Sequence, residues 1–274
     1  MRHIIYIILL TFAVSLNAQE LTWTKHDVNG HMTGVTQGPA GKTYESMGKV
    51  KKFKSYYSPN GKRHKKKTTA RKSAKAMIKA QDSMTSVKEV IGYSKKAMTK
   101  QRPECALTNW FIDVLMEETA KITNKKVDIG LSNFGGVRTD MPEGEIYRDD
   151  IMSMFPFKNT IYYFTMTGKS VKKLLKDMAA RKPEIVGGIR AEFKDNQVVN
   201  ATIGGEPIED DKIYGVATIN FLMEGSGWFR FGKYAIDGED TNANVMDVML
   251  KYVEEQTKLG KKIEYKKDGR IKRS

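Results

Sequence analysis

Apolar positions in the second half of the chain follow two alternating periods. Short, nearly continuous apolar runs predict strands, and apolar residues three or four positions apart predict amphipathic helices. The predicted strands are KVDIGLSN, NTIYYFTMT and KIYGVATI, with GIRAEFKD and QVVNATI as a hairpin around Asp195 and Asn196. The predicted helices are ECALTNWFIDVLMEETAKI, YRDDIMSM, GKSVKKLLKDMAARKP and NANVMDVMLKYVEEQTKLG, the last followed by a short β pair. This mixture of hairpins and crossovers predicts an α+β (mixed α/β) fold, a mixed sheet covered by helices.

The first eighteen residues have the pattern of a secretory signal peptide. Arg2 supplies a positive start, residues 4–14 are apolar, and the small residue Ala18 ends the segment. The apolar stretch is shorter than the roughly 20 residues that a membrane-spanning helix needs, so we expect no transmembrane segment there. We expect cleavage after about Ala18 and export to the periplasm or the extracellular space.

The part of the chain that follows this segment lacks regular periodicity at first. Residues 19–69 are polar and rich in glycine and lysine, which predicts an arm with one strand, LTWTKHDV, and long loops. Apolar residues then recur at helical spacing and predict a helix from Thr69 to Val90 that lies on the main domain. The predicted organisation is a signal peptide at 1–18, a basic N-terminal arm and helix at 19–89, and a domain at 90–274.

The charge of the chain is strongly positive and uneven. The sequence contains 47 Lys and Arg against 32 Asp and Glu, a formal net charge of +15. Two stretches, KVKKFK from Lys49 and GKRHKKKTTARKSAKAMIKA from Gly61, form what we call the basic belt. Such a charge can bind an anionic polymer, either a nucleic acid or an anionic glycan, or a lipid headgroup surface. We favour a solvated arm and helix face, because few aromatic residues other than Tyr56 and Tyr57 are available to stack on bases.

Three loops next to predicted strands carry glycine or aromatic residues: SNFGGVR, FPFKN and NFLMEGSGWF. Loops at strand ends are where ligand sites tend to lie in α/β proteins. In the first loop, Gly135 and Gly136 let the backbone approach a ligand closely, and Arg138 offers a planar fork for a phosphate. Asn133 can both donate to and accept from the edge of a base. This combination indicates a nucleotide site.

The other two loops each contribute one aromatic ring. Phe157 and Phe221 could hold a flat ring between them, since offset-stacked rings gain about 0.5 to 1.5 kcal/mol beyond simple burial. Each residue also has an ordinary structural explanation. The glycine pair could form a plain turn, the two phenylalanines could belong to the core, and Arg138 could be a solvated surface residue.

The order of these motifs resembles the C-terminal, substrate-binding domain of the 5'-nucleotidase and UDP-sugar hydrolase family. The resemblance runs from about Val90 to the C-terminal helix, through RPECALTNWFIDVL, SNFGGVR, GEI, FPFKNTIYYFTMTGKSVKKLL, GGIRAEF and GGEPIEDDKIYGVATINFL. The family's Asn-Gly-Gly-Gly-Ile-Arg pattern falls on residues 133–138 and its Pro-Phe-Gly-Asn on residues 156–159. Its second stacking aromatic falls on Phe221. The resemblance implies the fold of that domain.

The resemblance also implies a role for each site residue. Phe157 and Phe221 would clamp the base between their rings. Asn133 and Asn159 would contact the polar edges of the base. Arg138 would face the phosphate on the ribose.

Two departures from the family pattern bear on these roles. Where the family has Gly-Gly-Asp-Gly-Tyr, with a carboxylate that binds the ribose hydroxyls, this chain has GSGWF at residues 225–229. The expected ribose contact therefore lacks its acid. The family's basic residue ahead of a Glu-Ser or Glu-Cys pair is represented by Arg102, one position out of its usual place. We expect Arg102 to contact the phosphate.

The catalytic chemistry of the family is not visible in this sequence. Full-length members hydrolyse phosphate esters with a separate N-terminal domain that carries two metal ions and their ligands. The four histidines do not form a ligand pattern with acids: His3, His26, His31 and His64. The single cysteine, Cys105, lies on an apolar helix without a histidine nearby in sequence, which predicts a buried thiol. We predict no catalytic residue, metal ligand or cofactor in this chain, and divalent metals in a partner catalytic domain.

Two functional hypotheses follow. The first is an exported nucleotide-binding domain that sets substrate specificity and works with a separately encoded metallophosphoesterase in nucleotide hydrolysis. In this hypothesis the chain binds a nucleotide or nucleoside, and hydrolase activity is implied by the resemblance alone. The alternative is a non-catalytic surface protein that binds a solute, or an anionic polymer through the basic belt.

Overall fold

A computed structural model describes residues 48–50, 55–58, 60–80, 86–224 and 230–274. The predicted signal peptide and the predicted strand LTWTKHDV lie outside these residues. The first described elements are β1 (Lys49–Val50), β2 (Ser55–Tyr57), β3 (Arg63–Lys65) and α1 (Thr69–Ala80). The three strands form an antiparallel sheet in chain order. Helix α1 packs against all three strands.

The sequence predicts one helix from Thr69 to Val90, and this prediction is wrong for residues 86–90. Helix α1 ends at Ala80, residues 86–88 form a separate 3₁₀ turn, and Val90 begins a strand. The helix is also predicted to lie on the main domain, whereas α1 packs on the small sheet β1–β3. The apolar residues that suggest one long helix belong to different elements.

The elements from Val90 onward share one hydrophobic core. The strands are β4 (Val90–Ser94), β5 (Ile129–Ser132), β6 (Gly144–Tyr147), β7 (Thr160–Thr167), β8 (Ile185–Gly187), β9 (Ile189–Lys194), β10 (Gln197–Ile203), β11 (Glu206–Pro207), β12 (Ile213–Ile219), β13 (Asp237–Asn244) and β14 (Ile271–Arg273). The helices are α2 (Ala106–Thr123), α3 (Arg148–Met154), α4 (Gly168–Ala179), α5 (Asn220–Glu224) and α6 (Val245–Lys258). Short 3₁₀ turns occupy Phe134–Gly136 and Phe231–Tyr234.

The largest sheet has five strands in the order β13-β7-β12-β5-β8. Strands β5 and β12 are parallel, whereas β7 runs antiparallel to both β12 and β13, and β8 runs antiparallel to β5. A second sheet has the order β11-β10-β9-β14, and β4 pairs with β6. These mixed sheets and their helices confirm the predicted α+β (mixed α/β) fold class.

Helix α2 packs against the middle of the five-stranded sheet, where it contacts β5, β7, β8 and β12. Its side chains Leu107, Trp110, Ile112 and Leu115 are fully buried, and burial of a side chain of this size stabilises the fold by about 1.5 to 3 kcal/mol. The helix approaches closely because Gly130 faces it: a Cβ there would lie 2.6 Å from Ile112 Cγ1. Within the described residues no helix, α2 included, is long and apolar enough to cross a bilayer.

The predicted hairpin around Asp195 and Asn196 is present as β9 and β10. Both turn residues have positive φ, 49° and 61°, which matches the turn that two-residue hairpins favour. The short local β pair predicted after the last helix is wrong. Strand β14 instead pairs in parallel with β9, about 80 residues earlier, with Ile271 opposite Ala191.

Two buried ionic groups attach the C-terminal segment to α2. Glu104 accepts hydrogen bonds from Asp268 N at 2.8 Å and Gly269 N at 3.1 Å. Arg270 forms a two-point ion pair with Asp113, Nη1 to Oδ1 at 2.7 Å and Nη2 to Oδ2 at 3.0 Å. The same guanidinium also pairs with Asp268 at 3.0 Å. These contacts place β14 at the edge of the second sheet.

We predict that Arg270→Met lowers the free energy of unfolding by about 3 kcal/mol, because removal of one partner leaves the other charges of a largely buried ion pair uncompensated. The Arg270 side chain is only 10% exposed. Arg190 contacts the same acid, Asp268, at 3.7 Å, but its side chain is 56% exposed. Arg190→Met should therefore cost less than about 1 kcal/mol. Urea denaturation of both variants measures the difference, and equal losses would contradict the assigned role of Arg270.

Candidate functional site

The three loops singled out in the sequence meet at one edge of the five-stranded sheet. Strands β5 and β12 are parallel, so their carboxyl ends lie at the same edge. Strand β7 is antiparallel to β12, with Ile161 opposite Ile219, so the start of β7 lies at that edge as well. Residues 133–138 follow β5, residues 155–159 precede β7, and α5 follows β12. We call this place the loop edge.

Hydrogen bonds connect the three segments of the loop edge. Arg138 N donates to Met154 O at 2.9 Å, which joins the glycine loop to the segment before β7. The side-chain oxygen of Asn220 accepts from Thr160 N at 3.2 Å and from Phe221 N at 2.8 Å. Asn220 therefore joins the start of β7 to α5.

The sequence analysis did not single out Asn220, although an asparagine at this position is a recognisable sign of a helix start. Asparagine is a preferred residue where a strand or loop passes into a helix, because its side-chain oxygen accepts from backbone N–H groups in the first turn. In this structure the same oxygen also bonds to a neighbouring segment. That second contact depends on the fold and could not be found from the local sequence.

The glycine loop forms a single 3₁₀ turn, Phe134–Gly136, directly after Asn133. Gly136 N donates to Asn133 O at 3.0 Å. A Cβ on Gly136 would lie 2.9 Å from Asn133 Oδ1, and one on Gly135 would lie 3.3 Å from Asn133 Nδ2. The two glycines therefore leave space for the Asn133 amide, whose Oδ1 atom is buried without a hydrogen-bond partner.

The two predicted clamp rings are exposed. Phe157 is 43% exposed and Phe221 is 49% exposed. By contrast Phe111, Phe134 and Phe155, which lie close to them in sequence or space, are buried in the core. The core interpretation that the sequence left open for Phe157 and Phe221 is therefore excluded.

Arg138 lies next to one of these rings. Its Cζ atom is 5.6 Å from the centroid of the Phe157 ring, within the range of a cation–π contact. Its Nη1 atom also donates to Gly135 O at 3.3 Å. Arg138 is exposed and has no acidic partner among the described residues. Its charge is available at the loop edge.

A small cavity lies behind the glycine loop. It is lined by Phe111, Ser132, Gly136, Phe155, Phe157, Asn159, Ile219 and Val245, and its volume of about 10 Å³ is close to the minimum for one water molecule. Ser132 Oγ is buried there without a hydrogen-bond partner. Buried polar atoms in proteins nearly always have partners, so Ser132 Oγ and Asn133 Oδ1, which have none among the described residues, are unusual features of this edge.

Arg102 lies beside the loop but is already paired. Its Nη2 atom donates to Glu184 Oε1 at 2.7 Å, and its Nη1 atom donates to Pro183 O. Its Cζ atom is 4.2 Å from the centroid of the Phe134 ring. The phosphate contact of Arg102 stays a prediction, and Glu184 balances the charge of this arginine.

Glu184 is the second residue that sequence reasoning missed. It is 5% exposed, and its Oε2 atom accepts from Phe134 N at 2.7 Å. Glu184 therefore connects Arg102, the glycine loop and the start of β8. Nothing in the local sequence RKPEIV distinguishes this glutamate from a solvated one. Residues 225–229, where the family acid is replaced, lie outside the described residues.

Comparison with known proteins identifies the family of this domain. A family model described as "5'-nucleotidase, C-terminal domain" matches residues 86–233. The chain belongs to the 5'-nucleotidase C-terminal domain family. The family match includes the glycine loop, the segment before β7 and α5, and therefore all three parts of the loop edge.

Similar proteins in this family are much longer than the matched region. The trifunctional nucleotide phosphoesterase protein YfkN of Bacillus subtilis is 29% identical over 206 residues, which cover 67% of this chain and 14% of that protein. The NAD 5'-nucleotidase of Haemophilus influenzae is 30% identical over 178 residues, 55% of this chain and 28% of that protein. The chain thus spans less than a third of the length of these relatives.

Solved structures show the same fold. A 5'-nucleotidase precursor from Thermus thermophilus matches with a TM-score of 0.64 and 25% identity, over 74% of this chain and 42% of that chain. The sulfate thiohydrolase SoxB from the same genus matches over 74% of this chain and 38% of that chain, with a TM-score of 0.54 and 17% identity. The second match shows the fold alone.

We predict that Glu184→Gln loosens the glycine loop. The neutral amide weakens the bonds to Arg102 and to Phe134 N, and hydrogen bonds to charged groups contribute about 1.5 to 3 kcal/mol each. Amide hydrogen exchange at Phe134 should therefore become faster, with a lower free energy of unfolding. Glu192→Gln, at an exposed position on β9, is the control and should leave both unchanged. Unchanged exchange at Phe134 in Glu184→Gln would show that the carboxylate does not hold the loop.

Proposed function

We propose that the domain binds a nucleotide or nucleoside at the loop edge. The observation that carries this proposal is the pair of exposed rings, Phe157 and Phe221, on two segments that Asn220 joins by hydrogen bonds. Large apolar rings are costly to leave in water, and two of them on connected segments form a surface suited to a flat ligand.

In this proposal each predicted site residue has a distinct contact. The base lies between Phe157 and Phe221, and Asn133 and Asn159 contact its polar edge. The backbone of Gly135 and Gly136 permits close approach of the ligand.

Arg138 binds the phosphate in this proposal and is better placed for it than Arg102. Arg138 has no acidic partner among the described residues, whereas Arg102 is paired with Glu184 at 2.7 Å. A guanidinium that already balances a buried carboxylate attracts a second anion less strongly. Arg102 would then contribute mainly by holding Phe134, with any phosphate contact made by its remaining N–H groups.

We further propose that the domain sets substrate specificity for a metallophosphoesterase unit in nucleotide hydrolysis, and that it acts outside the cytoplasm. Support for the first part comes from the much longer relatives, which are named a nucleotide phosphoesterase and an NAD 5'-nucleotidase. Support for the second part comes from the signal-like pattern of residues 1–18. Divalent metal ions would be held by the metallophosphoesterase unit.

The ring clamp can be tested by substitution. Phe157→Ala and Phe221→Ala should each weaken the binding of a nucleoside monophosphate at least tenfold, because each variant loses one stacking contact and its apolar area. Stability should change by less than about 1 kcal/mol, since both rings are exposed. Isothermal titration calorimetry measures affinity, and thermal unfolding measures stability.

Two controls make this test decisive. Tyr93→Ala removes an equally exposed ring from β4, outside the five-stranded sheet, and should leave nucleotide affinity unchanged. Phe155→Ala removes a buried ring and should cost about 3 to 5 kcal/mol of stability. If the two clamp variants bind nucleotide as well as the parent chain, or unfold as early as Phe155→Ala, the proposed site is wrong.

Measurements of phosphate release can test whether this chain binds the substrate while a metallophosphoesterase unit hydrolyses it. With Mn²⁺, Zn²⁺ or Mg²⁺ the chain alone should release no phosphate from nucleoside monophosphates above background. A metallophosphoesterase unit from the same source should gain at least tenfold in turnover when the chain is added, and the gain should disappear with Phe157→Ala. A metal-dependent activity of the chain alone that chelation removes would contradict the proposal.

If adding the chain to the metallophosphoesterase unit does not raise the rate of phosphate release, the result would favour the alternative of a non-catalytic solute- or polyanion-binding protein.

A further inference from the structure

Almost all of the net positive charge lies in one short stretch. Residues 49–80 contain 13 of the 47 lysines and arginines and no aspartate or glutamate. The other 242 residues hold 34 basic and 32 acidic side chains, a formal charge of only +2. The charge of the protein is therefore a local property of the basic belt and of the residues between its two parts.

The structure arranges part of this charge as a stripe along α1. Arg71, Lys75 and Lys79 are four residues apart, so they lie on one face of the helix, about 6 Å from one to the next. They line a groove of about 530 Å³ together with Lys66, Lys67, Lys72 and Ala76. Six cationic side chains thus surround one groove.

Acidic side chains in the described part of the chain do not balance the groove lysines. Among the described residues none of the five groove lysines forms an ion pair with an acid. Helix α4 offers a comparison, because it carries four lysines in 12 residues where α1 carries three lysines and an arginine, yet Lys172 on α4 is paired with Asp210 at 2.6 Å. Like charges four residues apart on a helix repel each other, so α1 carries a repulsion that a bound anion would relieve.

Arg71 provides a second, independent observation. Its Nε atom is buried and has no hydrogen-bond partner, although its Nη1 atom donates to Lys66 O at 3.4 Å. A guanidinium offers several N–H donors that match the oxygens of a phosphate, so Arg71 adds a directional donor to the lysines of the groove.

We propose that the groove along α1 binds the phosphate backbone of a nucleic acid. The stripe from Arg71 to Lys79 spans about 12 Å, a length over which a duplex presents about seven phosphates. Tyr56 and His64, whose stacked rings lie 5.3 Å apart on β2 and β3, offer an aromatic surface on the sheet that α1 packs against. This site is separate from the loop edge and does not depend on the proposed nucleotide clamp.

A membrane surface fits the groove less well. Helices that lie on membranes combine lysines with a face of Trp, Phe or Leu side chains that enters the lipid. The sequence of α1 contains no Trp, Phe or Leu, and Met77 is its large exposed apolar side chain among those that the structure describes. The helix therefore has the charge for an anionic surface but not the Trp, Phe or Leu side chains of a membrane-bound helix.

The test measures binding of the full chain to a fluorescent 20-base-pair DNA duplex by anisotropy at several salt concentrations. Because the contacts are mainly ionic, the affinity should fall about 100-fold between 50 and 200 mM salt if about four phosphates are neutralised. The variant K67Q/K72Q/K75Q/K79Q should weaken binding at least tenfold at 100 mM salt and make the salt dependence shallower. Glutamine keeps the helix propensity of lysine, so α1 should persist, which circular dichroism checks.

The matched control is K169Q/K172Q/K173Q/K176Q on α4, which removes the same charge from a helix of the same length. This variant should bind the duplex within about twofold of the parent. Equal weakening by both variants would mean that net charge alone attracts DNA and would overturn the proposal. Tighter binding to heparin than to DNA, or α1-dependent binding to phosphatidylglycerol vesicles, would also overturn it, in favour of a sulfated glycan or a membrane.

Discussion

The geometry of the loop edge depends on the buried carboxylate of Glu184. A buried charge is stable only when it is paired and hydrogen-bonded, and Glu184 meets both conditions with Arg102 at 2.7 Å and Phe134 N at 2.7 Å. The Arg102 guanidinium in turn lies over the Phe134 ring. The glycine loop is therefore fixed to the strand that follows Glu184, and the positions of Asn133 and Arg138 depend on this attachment. Because Glu184 pairs with Arg102, the charge of Arg102 is balanced, whereas Arg138 has no acidic partner among the described residues.

The direction of the strands accounts for the rest of the site. Strands β5 and β12 are parallel, so their carboxyl ends lie together at the loop edge. Strand β7 is antiparallel to β12, so its first residues lie at the same edge. Ligand sites in α/β proteins commonly lie outside the carboxyl ends of parallel strands. Because a fold alone does not determine a ligand, the specificity of this edge must come from the loops and from the hydrogen bonds of Asn220 that bring them together.

The sequence predicts those parts of the molecule that depend on local patterns. The strands around the loop edge, the hairpin at Asp195 and the glycine loop follow from apolar periodicity and turn residues, and the structure confirms the fold class. The parts it cannot predict depend on distant partners. Strand β14 pairs with a strand about 80 residues earlier, and Glu184 reaches a backbone amide 50 residues away. The helix predicted to Val90 fails for a related reason: Val90 has apolar spacing that suits a helix, but pairing with Tyr147 makes it a strand.

The two proposed anion-binding surfaces use different physics. At the loop edge the proposal relies on Arg138, which has no acidic partner among the described residues, and on two exposed rings, so most of the affinity would come from stacking and short-range contacts that salt affects little. In the groove along α1, binding would depend mainly on the charges of six cations and not on stacking. Salt screens that attraction over about 10 Å at 0.1 M. A mononucleotide offers one or two charges to such a stripe, whereas a nucleic acid offers a continuous row. If both proposals hold, the charge of α1 would discriminate by the length of the anion, and the rings at the loop edge would discriminate by its base.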